Sequence, residues 1–145
     1  MARITGNNRE GDQFSGKAKK MAFERLWTFS GGKFAGTGWP SKNTHTDLDF
    51  ARERGLRTAI ASGTQFEGHM VQLMIDLFGV KWLSHGTMDV KFTGPVEVDD
   101  VVVAHALVTK KTYDSGVAGF ILEVWVENQK GEKVLVGTAT GVATQ

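Results

Sequence analysis

The sequence predicts an α+β domain in which an antiparallel sheet curls around one long and largely apolar helix. Residues 65–78 carry apolar side chains at helical spacing, and from residue 87 onward apolar and polar residues alternate with a period of two. A sheet of this kind must bury one of its faces. The apolar helix is the partner that the chain offers for that face.

The composition is that of an ordinary globular domain. The chain has 145 residues, 41% of them hydrophobic and 23% charged, with a formal net charge of +1. We expect one domain over residues 1–145, in which residues 1–17 form a polar N-terminal arm. No apolar run approaches the roughly 20 residues that a membrane helix needs. The polar N-terminus does not resemble a secretory signal, so we expect a cytoplasmic protein with no membrane partner.

Several classes of chemistry are excluded by composition. The absence of cysteine excludes disulfides, cysteine-ligated zinc, iron–sulfur clusters and cysteine nucleophiles. The near-neutral charge, without a long basic run, argues against a nucleic-acid partner. The four histidines are too scattered for a metal site. We therefore expect no metal and no other cofactor.

Two helices and a loop are predicted before the long helix. Residues 19–30 favour a short helix by their apolar spacing, although a strand is also possible there, and the Gly-rich residues 31–44 favour a loop. Asp47 can N-cap a second short helix that runs to Arg54 and is closed by Gly55.

The long helix is predicted from Gln65 to Phe78, with Gly79 at its end. It is apolar on most sides, which is typical of a buried helix. Its polar residues form one narrow stripe, namely Gln65, His69, Gln72 and Asp76. For His69 we expect exposure or a dimer contact.

The second half of the chain predicts an antiparallel meander. Alternating strands are expected over residues 87–92, 101–111, 120–127 and 134–140, and turn-forming residues separate them.

Several short motifs follow one another in a fixed order along the chain. In chain order they are Gly11-Asp12-Gln13-Phe14, His45-Thr46-Asp47, Phe50-Ala51, Gly55-Leu56, Ile60-Ala61-Ser62-Gly63, Lys91-Phe92-Thr93-Gly94-Pro95-Val96 and Asp99-Asp100. Their order and spacing resemble those of the MaoC-like family of (R)-specific enoyl-CoA hydratases and dehydratases, which have the hotdog fold. The resemblance extends over roughly residues 11–143.

The resemblance implies a hydro-lyase. The substrate would be a trans-2-enoyl thioester to be hydrated, or a 3-hydroxyacyl thioester to be dehydrated. It would be a small molecule carried on coenzyme A or on acyl carrier protein. The resemblance also implies a hotdog homodimer or a higher oligomer.

The catalytic residues that the resemblance implies are His45, Ser62 and Gly63. Removing water needs an acid–base group, and imidazole titrates near neutral pH. A free N–H of Gly63 at the helix N-terminus can hold the developing oxyanion. Ser62 can orient the site or donate a hydrogen bond, but it fits the role of a helix cap equally well. Gly63 could instead be needed only for the geometry of the turn, and His45 could be a loop histidine that only forms a hydrogen bond with the backbone.

The sequence departs from the family at one catalytic position. The family has an Asp in an Asp-x-Asn-Pro-x-His stretch, whereas residues 39–45 read Trp-Pro-Ser-Lys-Asn-Thr-His. Three alignments place Pro40, Ser41 or Gly32 at the Asp position, and none supplies a carboxylate.

Three explanations of this departure stay open. His45 could act alone or with a carboxylate from Asp47 or Glu67. The reaction could instead be a different elimination or isomerisation, on a substrate that is not a coenzyme A ester. The chain could also be a non-catalytic subunit that binds a ligand or a catalytic partner. A thioesterase is a further rival, but it would need Glu67 as its carboxylate.

The candidate substrate-binding residues are Phe34, Trp39, Ser41, Asn43 and Arg57. Phe34 and Trp39 are large aromatics in the Gly-rich loop, where they could shape a pocket or pack as an ordinary surface loop. Arg57 could meet the phosphates of coenzyme A, although a solvated surface charge explains it as well.

Overall fold

The computed structural model describes residues 2–31 and 42–144. Within these ranges the chain forms one six-stranded antiparallel sheet and four helices. The strands are β1 (Gln13–Ser15), β2 (Lys19–Lys20), β3 (Thr87–Phe92), β4 (Val101–Asp114), β5 (Val117–Glu127) and β6 (Lys133–Thr144). The helices are α1 (Phe23–Phe29), α2 (Leu48–Glu53), α3 (Gly63–Phe78) and α4 (Trp82–His85).

Three long strands form the centre of the sheet. The strand order is β1-β4-β5-β6-β3, and β2 pairs with β4 beside β1. The β4–β5 register shifts between Val108 and Lys110. An irregularity of this kind bends a strand and increases its twist, which favours the curvature that lets a sheet curl around a helix.

The core lies between α3 and the inner face of the sheet. One face of α3 is buried, and it joins inward-pointing side chains of β4 and β5 in a single hydrophobic cluster. From α3 this cluster includes Phe66, Met70, Leu73, Met74 and Leu77, and from the sheet it includes Ala106, Val108, Phe120, Leu122 and Val124. This packing confirms the α+β class and the buried central helix.

The boundaries differ from the expected ones near the N-terminus. Residues 19–30 are not one helix, because Lys19–Lys20 pairs with β4 as strand β2 and α1 begins only at Phe23. The segment expected as an arm contains strand β1, and its Ile4 is buried in the core. The short helix α4 was not expected from the sequence. It begins three residues after Gly79, and Trp82 anchors it by an indole hydrogen bond of 2.8 Å to the carbonyl of Thr140.

No helix in the described ranges is both long enough and apolar enough to cross a lipid bilayer.

We expect Leu77→Ala to destabilise the fold by about 2–5 kcal/mol, because the side chain is fully buried on the core face of α3 and its loss leaves a cavity. Urea unfolding at a fixed protein concentration measures this change. Val80→Ala is the control, since Val80 is 70% exposed and should change stability by less than about 0.5 kcal/mol. Equal midpoints for the two variants would contradict the assignment of the core.

Candidate active site

His45 lies on a hydrogen-bonded turn immediately before α2. The side-chain oxygen of Asn43 accepts from the backbone N–H of His45 at 2.9 Å. The backbone N–H groups of Thr46 and Asp47 both donate to the carbonyl of Asn43. The Asn43 amide also donates to the carbonyl of Ser30 at 3.2 Å, which ties the turn to the end of α1. The backbone around His45 is therefore held from two sides.

The imidazole of His45 is held by Ile60. Nδ1 of His45 lies 2.7 Å from the carbonyl oxygen of Ile60, and the N–H of Ile60 donates to the carbonyl of Thr44 at 3.1 Å. A carbonyl oxygen can only accept a hydrogen bond, so Nδ1 must carry the proton. In the neutral imidazole, Nε2 is then the unprotonated nitrogen, which is the form that can act as a base.

The segment that holds His45 also sets the start of the long helix. Ala61 donates its N–H to the carbonyl of Val96 at 2.7 Å, which fixes the chain against residues 96–98. Two residues later α3 begins at Gly63. The carbonyl that binds His45 is thus only three residues from the first N–H of the helix.

Gly63, the first residue of α3, is packed closely against an aromatic ring. An added Cβ would lie 2.9–3.1 Å from ring atoms of Phe92, so this ring lies directly against the glycine. The first N–H groups of a helix have no partner inside it, and the helix dipole places partial positive charge there. The N–H of Gly63 therefore has the position and polarity that an oxyanion donor needs, and its role as that donor stays a prediction. Phe92 packs edge-on against Phe66 at 5.4 Å and covers one side of this position.

Ser62 occupies the N-cap position of α3 without forming a side-chain cap. Its hydroxyl lies 3.0 Å from the hydroxyl of Thr64, and it makes no capping hydrogen bond to the backbone. Ser62 is thus the N-cap residue by position, as expected, but its side chain does not cap the helix. Its Oγ stays beside the first turn of α3.

The two carboxylates considered as partners of His45 differ in their surroundings. Asp47 caps α2 by accepting from the N–H of Phe50 at 2.8 Å, and Lys42 lies 3.7 Å away. The hydrogen bond from Phe50 is the main cause that lowers the pKa of Asp47, and the charge of Lys42 adds to it. Glu67 is half-buried on α3 and makes no hydrogen bond or ion pair with any residue in the described ranges.

The expected substrate-binding residues are only partly within the described ranges. Phe34, Trp39 and Ser41 lie outside them, as do Gly32 and Pro40 of the alternative alignments. Asn43 uses its side chain to build the turn at His45. Arg57 is exposed and forms a two-pronged ion pair with Glu97. It lies at the rim of a cleft that also contains Lys130 and Lys133.

Two groups at the site were not singled out from the sequence, namely the carbonyl of Ile60 and the ring of Phe92. Both lie within the motifs that carried the family resemblance, so their positions could have been flagged. Their contacts join segments that are distant along the chain, which is why residue spacing alone did not show them.

A family of known proteins matches most of this region. The sequence model described as MaoC like domain matches residues 34–120. The chain belongs to the MaoC-like family. Membership supports hydratase or dehydratase chemistry in general for this MaoC-like protein. No curated protein sequence is significantly similar to it.

Solved structures with the hotdog fold resemble the MaoC-like chain over nearly its whole length. A MaoC-like dehydratase from Rhodospirillum rubrum is 19% identical, with a TM-score of 0.75 over 96% of this chain and 94% of its own. The R-hydratase PhaJ1 from Pseudomonas aeruginosa is 17% identical, with a TM-score of 0.73 over 94% and 82%. The (R)-hydratase from A. caviae is 20% identical, with a TM-score of 0.72 over 97% and 100%. At these identities the likeness establishes the hotdog fold.

We expect Asp47 to act as a helix cap, so that Asp47→Ala lowers stability near neutral pH while Asp47→Asn, which can also cap, stays close to wild type. Because its pKa is lowered in the folded state, the carboxylate stabilises the fold above its unfolded pKa, and this contribution is lost as the pH falls through the folded pKa. The gap between wild type and Asp47→Ala should therefore narrow below about pH 4. Chemical unfolding across a pH series measures it.

The same two variants separate capping from catalysis. Full activity in Asp47→Asn agrees with a capping role, whereas an inactive and stably folded Asp47→Asn would show that the carboxylate itself takes part in the reaction.

Proposed function

We propose that this MaoC-like protein adds water to a trans-2-enoyl thioester, or removes it from the 3-hydroxyacyl thioester, with His45 as the acid/base. One observation carries the proposal, namely the hydrogen bond from Nδ1 of His45 to the carbonyl of Ile60. This bond leaves Nε2 free to accept a proton, and the same backbone segment leads into the N-terminus of α3 at Gly63.

In the hydration direction, His45 Nε2 removes a proton from water while the water oxygen bonds to C3 of the enoyl chain. Negative charge then develops on the thioester oxygen, where the N–H of Gly63 and the helix dipole stabilise it. Protonation of C2 by the imidazolium completes the addition and restores the neutral base. Dehydration follows the same steps in reverse, so one histidine accounts for both proton transfers.

The alternative to His45 acting alone is that a second acid–base group shares the proton transfers, and this group would come from α3. Glu67 lies four residues after Gly63, and residues at this spacing share one face of a helix. Its carboxylate has no partner in the described part of the chain, whereas that of Asp47 is committed to capping α2. Glu67 is therefore the better candidate to share the work that the family assigns to its Asp.

The proposal also includes the carrier and the assembly. The substrate is a thioester of coenzyme A or of acyl carrier protein, and the protein acts as a cytoplasmic homodimer or a higher oligomer. Family membership supports the thioester substrate and the oligomer. Arg57 is paired with Glu97, and the cleft that it lines holds Glu97, Asp100 and Glu132 beside Lys130 and Lys133. The charge of this cleft is thus balanced, and it adds no support for a phosphate site.

We expect the protein to hydrate crotonyl-CoA, followed as the loss of enoyl absorbance, and His45→Ala to lower kcat/KM by about 10²–10⁴-fold, the usual contribution of a general acid–base group. His85→Ala is the matched control, because His85 is an exposed histidine on α4, and it should keep full activity.

Glu67→Gln shows whether the second proton transfer involves α3. Full activity of this variant leaves both transfers to His45, and a large loss of kcat/KM assigns one of them to Glu67.

A wild-type protein that is inactive toward crotonyl-CoA and toward longer enoyl thioesters would refute the hydratase proposal. The missing family Asp would then favour the other readings, namely a different elimination or isomerisation, or a ligand-binding subunit.

We expect Gly63→Pro to lower kcat/KM by about 10²-fold, because proline has no backbone N–H and so removes one oxyanion donor. Proline is tolerated at the first position of a helix, and Ser62 before it already has the extended backbone that a following proline requires. Gly63→Ala is the matched control, since it also adds a Cβ against the half-exposed ring of Phe92 but keeps the N–H. Equal rates of crotonyl-CoA hydration in Gly63→Pro and Gly63→Ala would contradict the role of this N–H.

A further inference from the structure

The ring of Phe92 lies at the reacting end of the candidate site and is left half-exposed. Its atoms would be 2.9–3.1 Å from a Cβ on Gly63, so the ring lies directly beside the residue whose N–H is the proposed oxyanion donor. Phe92 is nevertheless 48% exposed, although phenylalanine is one of the largest apolar side chains. Burial of such a surface is favourable, so an open aromatic face at this place requires an explanation.

Neighbours on the sheet and on the long helix hold Phe92 in this position. It is the last residue of β3, at the edge of the described sheet, and it pairs with Leu135 of β6. The chain then turns back, and the carbonyl of Val96 accepts from the N–H of Ala61 at 2.7 Å. The ring packs edge-on against Phe66, which is buried on the first turn of α3. The ring is therefore fixed beside the start of the helix.

A thioester bound to the N–H of Gly63 lies beside this ring. The hydrogen bond puts the thioester oxygen about 2.9 Å from the nitrogen of Gly63, which is about 1.5 Å from the Cα that the ring covers. The carbonyl carbon has two substituents, namely the sulfur that leads to the carrier and C2 of the acyl group. The carrier is polar and extends into solvent, whereas the acyl group is apolar and gains from contact with an aromatic face. The acyl side of the thioester is thus the side that suits the ring.

We propose that Phe92 is a specificity-determining residue, whose ring packs against C2 of the bound acyl group and leaves no room for a branch there. The inference rests on the proposed function and narrows its substrate class to thioesters that are unbranched at C2. The ring that leaves no room for a side chain on Gly63 also collides with a methyl group on the neighbouring carbon of the substrate. Phe92 transfers no proton in this proposal and acts only by contact with the acyl group.

The test compares crotonyl-CoA with trans-2-methyl-2-butenoyl-CoA, which differs only by a methyl group at C2. Hydration of both esters is followed as the loss of enoyl absorbance. The ratio of their kcat/KM values is compared between variants, because the intrinsic reactivities of the two esters cancel in that comparison. The wild-type ratio should favour crotonyl-CoA. Phe92→Ala should shift the ratio toward the branched ester by about tenfold or more, in the range that one carbon contributes in an apolar pocket.

A second variant and a matched control keep the test independent of folding. Phe92→Leu retains an apolar side chain against Phe66 but is smaller than the ring, so it should shift the ratio in the same direction by less. Tyr113→Ala is the control, because Tyr113 is a 56% exposed aromatic residue that pairs with Ala118, at the opposite end of the sheet. It should leave the ratio and kcat/KM for crotonyl-CoA unchanged.

Two results would overturn the inference. One is the same ratio in the wild-type protein and in folded Phe92→Ala and Phe92→Leu. The other is an unchanged ratio together with a dissociated oligomer in Phe92→Ala, measured by sedimentation, which would identify the exposed ring as a contact between copies of the chain.

Calorimetric titration separates a failure of this inference from a failure of the proposed function. The probes are butanoyl-CoA and racemic 2-methylbutanoyl-CoA, which are saturated counterparts of the two esters and bind without turnover. If neither enoyl ester is hydrated, the proposed function fails. Tighter binding of butanoyl-CoA by the wild-type protein, with the difference lost in Phe92→Ala, would still support the contact with C2. An equal preference in the two proteins would overturn it.

Discussion

The hydrogen bond between the imidazole of His45 and the carbonyl of Ile60 is the constraint on which the candidate site depends. It joins a loop before α2 to the segment that leads into α3, although the two are fifteen residues apart in the chain. The reciprocal bond from the N–H of Ile60 to Thr44 makes this a two-point attachment. Because the carbonyl can only accept, the attachment selects the tautomer as well as the position of the base.

The long helix serves the core and the site at the same time. Its buried face anchors it against the sheet, so that its N-terminus at Gly63 and its first polar residues are held on a rigid element. Side chains on such elements are held in place with less positional variation than side chains on loops. The ring of Phe92, at the end of an edge strand, then covers one side of Gly63 and excludes a larger residue there.

The departure from the family pattern changes which residues can carry the proton transfers. Where related enzymes use an Asp together with the histidine, the aligned positions of this chain carry no carboxylate. Asp47, the nearest carboxylate in sequence, is held by the backbone of α2 and stays ionised. In the proposed mechanism His45 is therefore the acid–base group, and Glu67 is the candidate to share its work.

The α+β class, the buried helix and the strands of the second half followed from residue periodicity, because burial of one face imposes the same repeat on every helix or strand. The cap at Asp47 followed from a local pattern, whereas His45 and Gly63 became candidates through the resemblance to the MaoC-like family. The split of residues 19–30 into β2 and α1, the burial of Ile4 and the extra helix α4 depended on partners far along the chain, which periodicity does not reveal. The tautomer of His45 and the contact of Phe92 with Gly63 were likewise decided by the tertiary structure, since each arises only when distant segments meet.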